Sequence, residues 1–375
     1  MAGTLAEYRA LFPITRTCHF LNHAAVAPAP TCVGDAVQAW VSDLVHHGTD
    51  HIADWLRRER EVRASAAKLL GAAADEIAFV RSTSHGLGLF AEGVAWQPGD
   101  EVALCPELEY PANVYPWMHL GDRGVVVRPI AAREGGVTVE EVARAIGPRT
   151  RVVSVSSVQF ATGVATDLEA IGALCRERSV LFCVDGIQSV GAFPLDVQRA
   201  NIDFLAADSH KWQLGLPGIG LAYVRRELIP RLRPSVVGWK SVKHPLDFDH
   251  LRLELREDAA RFEEGTESFP MILGMGAALA LLDEVGVARI AGQITAWLAE
   301  AEQALAAAGL SPGPPAAVRR GILTFRPKTG SAEDFVNRAR QAGLVLSPRR
   351  SRVRVSPHFY NGEHELRVLV DFARA

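Results

Sequence analysis

A lysine closes an apolar run in AADSHKWQLGLPGIG, residues 206–220. Lysine ordinarily sits on solvated surface. Placed where a buried strand ends, Lys211 has three readings. It is a lysine that ends a strand and reaches solvent, a phosphate-binding lysine, or an amine that condenses with an aldehyde. The third has a chemical basis, because desolvation disfavours the ammonium and leaves a neutral nucleophile. SVLFCVDGIQSVGAFP, residues 179–194, ends an apolar strand on Asp185. A carboxylate there can hold a proton on a heteroaromatic ring nitrogen; a helix cap or turn is the plainer role. Gln188 follows by one turn and can hydrogen-bond a ring hydroxyl. RSTSHGLGL puts Thr83 and Ser84 at a helix start, where backbone N–H groups and hydroxyls form an anion cradle or simply cap the helix. Ser209 and His210 add two donors beside the lysine. Tyr110, in ELEYPANVYPW, follows a strand end and can stack on an aromatic ring or pack in a core.

Such groups need a frame that brings strand ends together. From about residue 76 to 224, strand and helix patterns alternate. EIAFVRS (76–82), DEVALC (100–105), GVVVRPI (124–130), RVVSVSS (151–157), VLFCVD (180–185), IDFLAAD (202–208) and GIGLAYV (218–224) read as strands. HGLGLFAEGVA reads as a helix. TVEEVARAIG opens with Thr138 and has Glu141 three residues on, a capping-box pattern. Asp167 caps a helix over DLEAIGALCRERS. Strands apolar throughout and separated by helices predict an α/β fold with a mostly parallel sheet covered on both faces. In such sheets ligands sit beyond the carboxyl ends of the strands. Ser82, Thr83, Ser84, Glu109, Tyr110, Ser157, Asp185, Ser209, His210 and Lys211 all fall there. After about residue 245 the pattern becomes α+β. GILTFRP (321–327) and SRVRVSPHFY (351–360) read as strands, and SAEDFVNRARQAG and GEHELRVLVDFARA as helices. A long helical pattern around 271–309 connects the parts, and the Pro-rich segment 311–315 reads as a loop. The expected division is an N-terminal arm over 1–15 packing with the small domain, a large domain over 16–245, and a small C-terminal domain over 246–375.

Bulk properties narrow the function classes. Of the 375 residues, 48% are hydrophobic and 22% charged, enough for a substantial core. Lys plus Arg (40) nearly balance Asp plus Glu (43), which argues against a nucleic-acid partner. No apolar run approaches the roughly 18 residues that span a bilayer, and the N-terminus lacks a secretory pattern. Cys18, Cys32, Cys105, Cys175 and Cys183 are scattered and without CxxC spacing, so neither a disulfide framework nor a metal site is expected. A reducing cytoplasm is the expected compartment. The P-loop pattern and a strand-coupled G-x-G-x-x-G fingerprint are both missing, which disfavours a nucleotide-binding enzyme.

The lysine, the aspartate and the anion cradle together suit pyridoxal 5'-phosphate (PLP), whose ring draws electrons only when its nitrogen is protonated. The chain resembles the class V aminotransferase-like family of fold-type I PLP enzymes, which includes cysteine desulfurases, selenocysteine lyases, kynureninases and isopenicillin N epimerase-like proteins. The resemblance runs through HFLNHAAVAPAP (19–30), STSHGL (82–87), EYPANVYPW (109–117), VDGIQSVGAFPLDV (184–197), DFLAADSHKWQLGLPGIGLAYV (203–224), RFEEGT (261–266) and RVRVSPHFYN (352–361). It implies a PLP-transferase fold with a large domain and a smaller C-terminal one. It implies that Lys211 holds the cofactor as a Schiff base, Asp185 pairs with the ring nitrogen and Gln188 with the ring oxygen. Thr83, Ser84, Ser209 and His210 are implied phosphate contacts, and Tyr110 an implied stacking ring. Thr266 matches a threonine that reaches the phosphate of a neighbouring subunit, which implies a homodimer with shared sites. Arg354 matches the arginine that grips the substrate α-carboxylate; a planar guanidinium makes a bidentate clamp. His23 and Trp239 fall in segments that line the substrate pocket, and packing roles stay open for both. Arg352 shares a strand face with Arg354 and is either an assistant or an edge charge.

Departures from the family bear on the reaction. Persulfide-type desulfurases need a mobile cysteine near the substrate arginine, and no cysteine follows Cys183. The desulfurase branch places a histidine where Pro111 stands. The expected reaction is therefore β-elimination at an amino acid with a sulfur-linked group on Cβ. An isopenicillin N epimerase-like activity and an aminotransferase remain alternatives, as does a catalytically silent protein on the same fold, against which Lys211, Asp185 and Arg354 argue.

Overall fold

Seven strands hydrogen-bond into one sheet in the order Ile77–Val80, Gly220–Val224, Phe204–Asp208, Leu181–Asp185, Thr150–Ser156, Glu101–Leu104, Val126–Pro129. The computed structural model describes residues 5–374. Residues 1–4 of the expected N-terminal arm and Ala375 at the end of the expected small domain lie outside the described residues. Six of the strands run the same way; Gly220–Val224 is antiparallel to both neighbours. The expected α/β fold with a mostly parallel sheet is present.

Why these runs are apolar throughout is visible in the packing. Phe182, Val184, Leu205 and Ala207 belong to one core cluster. Cys183, Phe204 and Ala206, which alternate with them, belong to a second cluster. Successive side chains point to opposite faces, and both faces are covered, so no position in these strands tolerates a solvated group. Each buried aromatic such as Phe204 contributes about 1.5–3 kcal/mol. Helix Leu168–Glu177 comes so near the strand connection that a Cβ at Gly172 would stand 1.9 Å from the Ala200 carbonyl oxygen. Asp167 caps this helix, accepting from the Ala170 N–H at 3.1 Å. Thr138 caps Val139–Ala145, but the Glu141 carboxylate turns to Arg133 and Arg144 rather than back to the cap, so only half of the expected box forms.

A second, antiparallel sheet has the order Ser347–Arg349, Arg352–Val355, Leu323–Arg326, Ser311–Gly313. Its last member corrects the sequence reading, which made 311–315 a loop. Ser311–Gly313 is an edge strand, where a proline's missing N–H can face away from the ladder. The connecting helical pattern also divides. Phe269–Val285 and Val287–Ala307 meet at 76° across Gly286, whose φ of 86° ends the first helix. Helices Thr31–His47 and Ile52–Leu70 pack on the first of these. No single helix among the described residues is long and apolar enough to cross a membrane. At the N-terminal side, Arg9 donates to Glu365 and to the Tyr360 carbonyl, and Phe12 stacks on Tyr360 at 3.8 Å. Strand His19–Phe20 pairs in parallel with Leu344–Val345, which brings Asn22 and His23 beside the second sheet.

Candidate active site

The parallel strands deliver their polar residues to one edge. Phe204–Asp208 ends in the turn that carries Ser209, His210 and Lys211, and Gly220–Val224 returns beside it. Lys211 is only 9% exposed. Burial pushes its ammonium down to about 8; Arg354 and Arg349 push the same way and Asp185 opposes. The solvent-reaching reading of this lysine is excluded. Asp185, at the end of the adjacent strand, is 2% exposed. Its Oδ1 accepts from the Ile187 N–H at 3.0 Å. Burial raises it to about 7, with Glu109 adding and Lys211 opposing. A buried carboxylate held this way gains strongly from a cation, and a protonated ring nitrogen is one. Ser157 braces the same strand end: its N–H and hydroxyl both donate to the Asp185 carbonyl, at 2.9 and 3.1 Å.

Gln188 is buried with its amide oriented. The oxygen accepts from Trp212 Nε1 at 2.8 Å and the nitrogen donates to the Ala24 carbonyl at 3.1 Å. One amide N–H is left for a ring oxygen. Trp212 is itself fixed by His358, whose Nε2 donates to its carbonyl at 3.2 Å because Nδ1 accepts from the Phe359 N–H. Burial drives His358 down to about 4, so this ring is neutral.

On the other side, Thr83 opens helix Thr83–Gly93 and its hydroxyl oxygen accepts from the Asp208 N–H at 2.9 Å, tying the helix start to the lysine-bearing strand. Ser84 follows, exposed, on the rim of a hollow it shares with Tyr110. The Ser209 hydroxyl is buried without a partner among the described residues, and His210 Nδ1 lies 2.9 Å from Asp208 Oδ1. A Cβ at Gly215 would stand 1.8 Å from the Ser209 hydroxyl, so only glycine leaves it free. An orphaned buried donor beside a helix start is what a phosphate would satisfy. The residues present are of the kinds PLP would need: an amine at Lys211 for its aldehyde, a carboxylate at Asp185 for its ring nitrogen, an amide at Gln188 for its ring oxygen, and donors at Thr83, Ser209 and His210 for its phosphate.

Tyr110 and Arg354 complete the surroundings of Lys211. The Tyr110 ring centroid is 5.6 Å from Lys211 Nζ, and Phe160 meets the ring edge-on at 5.2 Å. Arg354 is 1% exposed. It donates to the Phe160 carbonyl at 2.9 Å and to Asn22 Oδ1 at 3.3 Å, and its Nε has no partner among the described residues. Among the described residues no carboxylate pairs with it, and burial pushes it down to about 9. Arg352 turns aside instead, donating to the Thr324 hydroxyl and the Ser311 carbonyl.

Two expected residues, His23 and Trp239, are not brought to this point, and Thr266, expected at the phosphate of a neighbouring subunit, lies apart from it as well. His23 is fully buried; Nδ1 is 2.9 Å from the Ser356 carbonyl and Nε2 2.6 Å from the Tyr360 hydroxyl. Both ring nitrogens are consumed inside the fold, so the side chain braces the second sheet rather than contacting substrate. Trp239 is 47% exposed over Gly265. Thr266 is exposed, with φ 52°. No hydrogen bond, ion pair or ring contact among the described residues joins Trp239 or Thr266 to Lys211, Asp185 or Arg354.

Sequence reasoning left Glu109 without a role. Its buried carboxylate accepts from the Ser156 N–H at 2.8 Å, the Ser156 hydroxyl, Asn113 at 2.9 Å and Gln159 at 3.2 Å. It locks the segment that carries Tyr110 to the strand end beside Asp185. Phe160 was also missed; its backbone carbonyl does the work, and no side-chain pattern signals that.

The aminotransferase class V family model matches residues 19–366. An uncharacterised aminotransferase, YcbU, of Bacillus subtilis is 29% identical, with 97% of this chain and 96% of that protein covered. A probable cysteine desulfurase of Methanothermobacter thermautotrophicus is 31% identical over 76% of this chain and 71% of its own length. Among solved structures, a C-DES mutant with glycine covalently linked to its PLP cofactor superposes with a TM-score of 0.90 at 24% identity, covering 98% of each chain. A match that spans both sheets, together with a desolvated lysine facing a buried aspartate, leads to one conclusion: this chain belongs to the class V aminotransferase family and is a PLP-dependent enzyme.

Proposed function

We propose that the enzyme acts at Cα and Cβ of an α-amino acid and eliminates a sulfur-linked group from Cβ, without a persulfide-carrying cysteine. The observation that carries an amino-acid substrate is Arg354, a buried guanidinium with no carboxylate partner among the described residues that shares the Tyr110–Phe160 corner with Lys211. An α-carboxylate supplies the missing counter-charge and fixes which bond at Cα faces the lysine. PLP, when bound, draws electrons from Cα and so acidifies its proton. Asp185 holds the proton on the ring nitrogen that this requires. Tyr110 would cover the ring, and Gln188 would donate to its oxygen. Lys211 would be the group that takes the Cα proton, and burial, which lowers its ammonium to about 8, suits it to do so. The cysteines favour elimination without a thiol relay. Cys105, Cys175 and Cys183 are buried, and burial raises all five thiols above their usual range. Incubation with cystine, cysteine sulfoxides and D- and L-amino acids should release pyruvate from the sulfur-linked set. Inversion without pyruvate would establish epimerisation instead, and a keto acid matching the supplied amino acid would establish transamination.

The same reading includes a homodimer in a reducing cytoplasm. Supporting it, Thr266 is exposed away from its own chain's site, and Leu246, Phe248, Leu251 and Leu253 are 72–88% exposed on the segment after Trp239. All five cysteines are unpaired. Sedimentation at micromolar concentration should give about twice 40.6 kDa; a 40.6 kDa species that retains full activity removes the shared-site reading.

A further inference from the structure

Helices Thr31–His47 and Ile52–Leu70 are joined by a short turn within VHHGTDHI, residues 45–52. Gly48, at φ 58°, lets the chain leave the first helix. The His51 carbonyl then accepts the N–H groups of Asp54 at 2.9 Å and Trp55 at 3.2 Å, which starts the second helix. Three side chains meet at this corner. Asp43 Oδ1 accepts from His47 Nδ1 at 3.0 Å and from His51 Nδ1 at 2.7 Å, and the two imidazole centroids are 4.7 Å apart. One ligand atom from each of the three lies within 4.8 Å of the other two. No hydrogen bond, ion pair or ring contact among the described residues joins this cluster to Lys211, Asp185 or Arg354. The sequence reading weighed the cysteines as metal ligands and passed these histidines over.

The cluster is oriented from beneath. Asp43 Oδ2 accepts from Trp55 Nε1 at 2.7 Å, and Trp55 is 4% exposed, packed against Trp40 and Phe269. A buried indole thus fixes the rotation of the carboxylate, as outer hydrogen-bond partners do in metal sites. Hydrogen bonds from His51 and Trp55 hold Asp43 below the usual carboxylate range, so it is ionised at neutral pH. An ionised carboxylate only accepts, so both Nδ1 atoms carry protons in this arrangement. Each neutral ring can move its proton to Nε2 and offer the Nδ1 lone pair to a cation. Ligand atoms about 2 Å from a tetrahedral zinc lie roughly 3.3 Å apart, so small rotations of two exposed rings open the cluster far enough. Water reaches the remaining position, because both rings are half exposed. His46 is turned away; its Nδ1 donates to the Ser42 carbonyl at 2.7 Å.

We propose that Asp43, His47 and His51 form a binding site for a divalent transition cation of the zinc class, which staples the end of one helix to the start of the next. Two imidazoles and one carboxylate suit zinc, nickel or copper, whereas magnesium and calcium prefer all-oxygen shells. Both helices pack on Phe269–Val285, so a cation at their junction favours the folded chain without touching the reacting groups.

The test titrates PLP-loaded enzyme with zinc chloride by calorimetry in chelator-free buffer and follows the melting temperature in parallel. The wild type takes up zinc with a stoichiometry of one at this site and gives no heat with magnesium chloride. At a hundredfold excess of zinc over Kd the melting temperature rises by roughly 2–4 °C. His47→Gln and His51→Gln each abolish both the heat and the shift. Trp55→Phe, which keeps the packing and removes the donor to Asp43, weakens Kd by about 10- to 100-fold. His46→Gln leaves Kd at its wild-type value. The proposal is overturned if zinc neither binds the wild type nor raises its melting temperature, or if binding persists undiminished in His47→Gln and His51→Gln, which places the cation elsewhere. A His46→Gln variant that loses zinc as fully as His51→Gln overturns the ligand assignment.

Discussion

Lys211→Ala lowers turnover of every accepted amino acid by at least about 10³-fold, because one substitution removes both the group that holds the cofactor and the base at Cα. The variant should still bind PLP without a covalent link, through Thr83, Ser209, His210 and Asp185. Borohydride reduction followed by mass measurement should then show a pyridoxyl adduct on Lys211 of the wild type and none on the variant. The pH dependence of loading sharpens this. Only the neutral amine attacks an aldehyde. Burial lowers the Lys211 ammonium to about 8, so it is charged below that pH and neutral above it. The rate of PLP incorporation into apoprotein should rise about tenfold per pH unit up to about 8 and then level. A solvated lysine would keep accelerating toward about 10.4. A rate that climbs past about pH 9 without a plateau would show that the amine is not desolvated.

Asp185→Asn should lower kcat by about 10²- to 10³-fold while leaving the cofactor attached to Lys211. The amide keeps the shape and still accepts from the Ile187 N–H, so the loss reports charge alone. An amide cannot hold a proton on the ring nitrogen, and the electron demand at Cα fades with it. Stability should move the other way in apoprotein. The folded-state affinity of Asp185 for its proton is raised, from 3.8 to about 7, chiefly by burial. A raised carboxylate destabilises the folded state once it ionises; the penalty grows from about pH 4 and is complete above about pH 7. At about pH 8 the Asp185→Asn apoprotein should therefore melt at or above the wild-type temperature. A large fall in melting temperature together with the activity loss would make Asp185 a packing residue instead.

The strand ends were legible because burial on both faces leaves a strong imprint. A run such as VLFCVD admits no polar residue until the chain leaves the sheet, so the first polar group marks the carboxyl edge. That is how Asp185, Lys211, Thr83 and Tyr110 could be picked out before any geometry. Helices Thr31–His47 and Ile52–Leu70, by contrast, left no motif that demanded a functional role, and they went unread. The edge strand Ser311–Gly313 was hidden by its proline, since sequence alone does not say which backbone N–H groups a ladder needs. The break at Gly286 was hidden because apolar spacing continues through both helices while their axes turn by 76°.

By itself, then, the order of residues determined the fold class and the strand-end chemistry, because these depend on local patterns: apolar period, turn residues and groups a few positions apart; the cofactor followed from the family resemblance that those motifs carry. Tertiary structure decided what depends on burial and on partners distant in the chain. His23 resembled a pocket residue until Ser356 and Tyr360, 333 and 337 positions away, took both its nitrogens. Arg354 was singled out only through the family resemblance until the fold removed water from around it and, among the described residues, offered no carboxylate in exchange. A guanidinium's role is set by the dielectric around it and by what fails to pair with it, and neither is written in its neighbours along the chain.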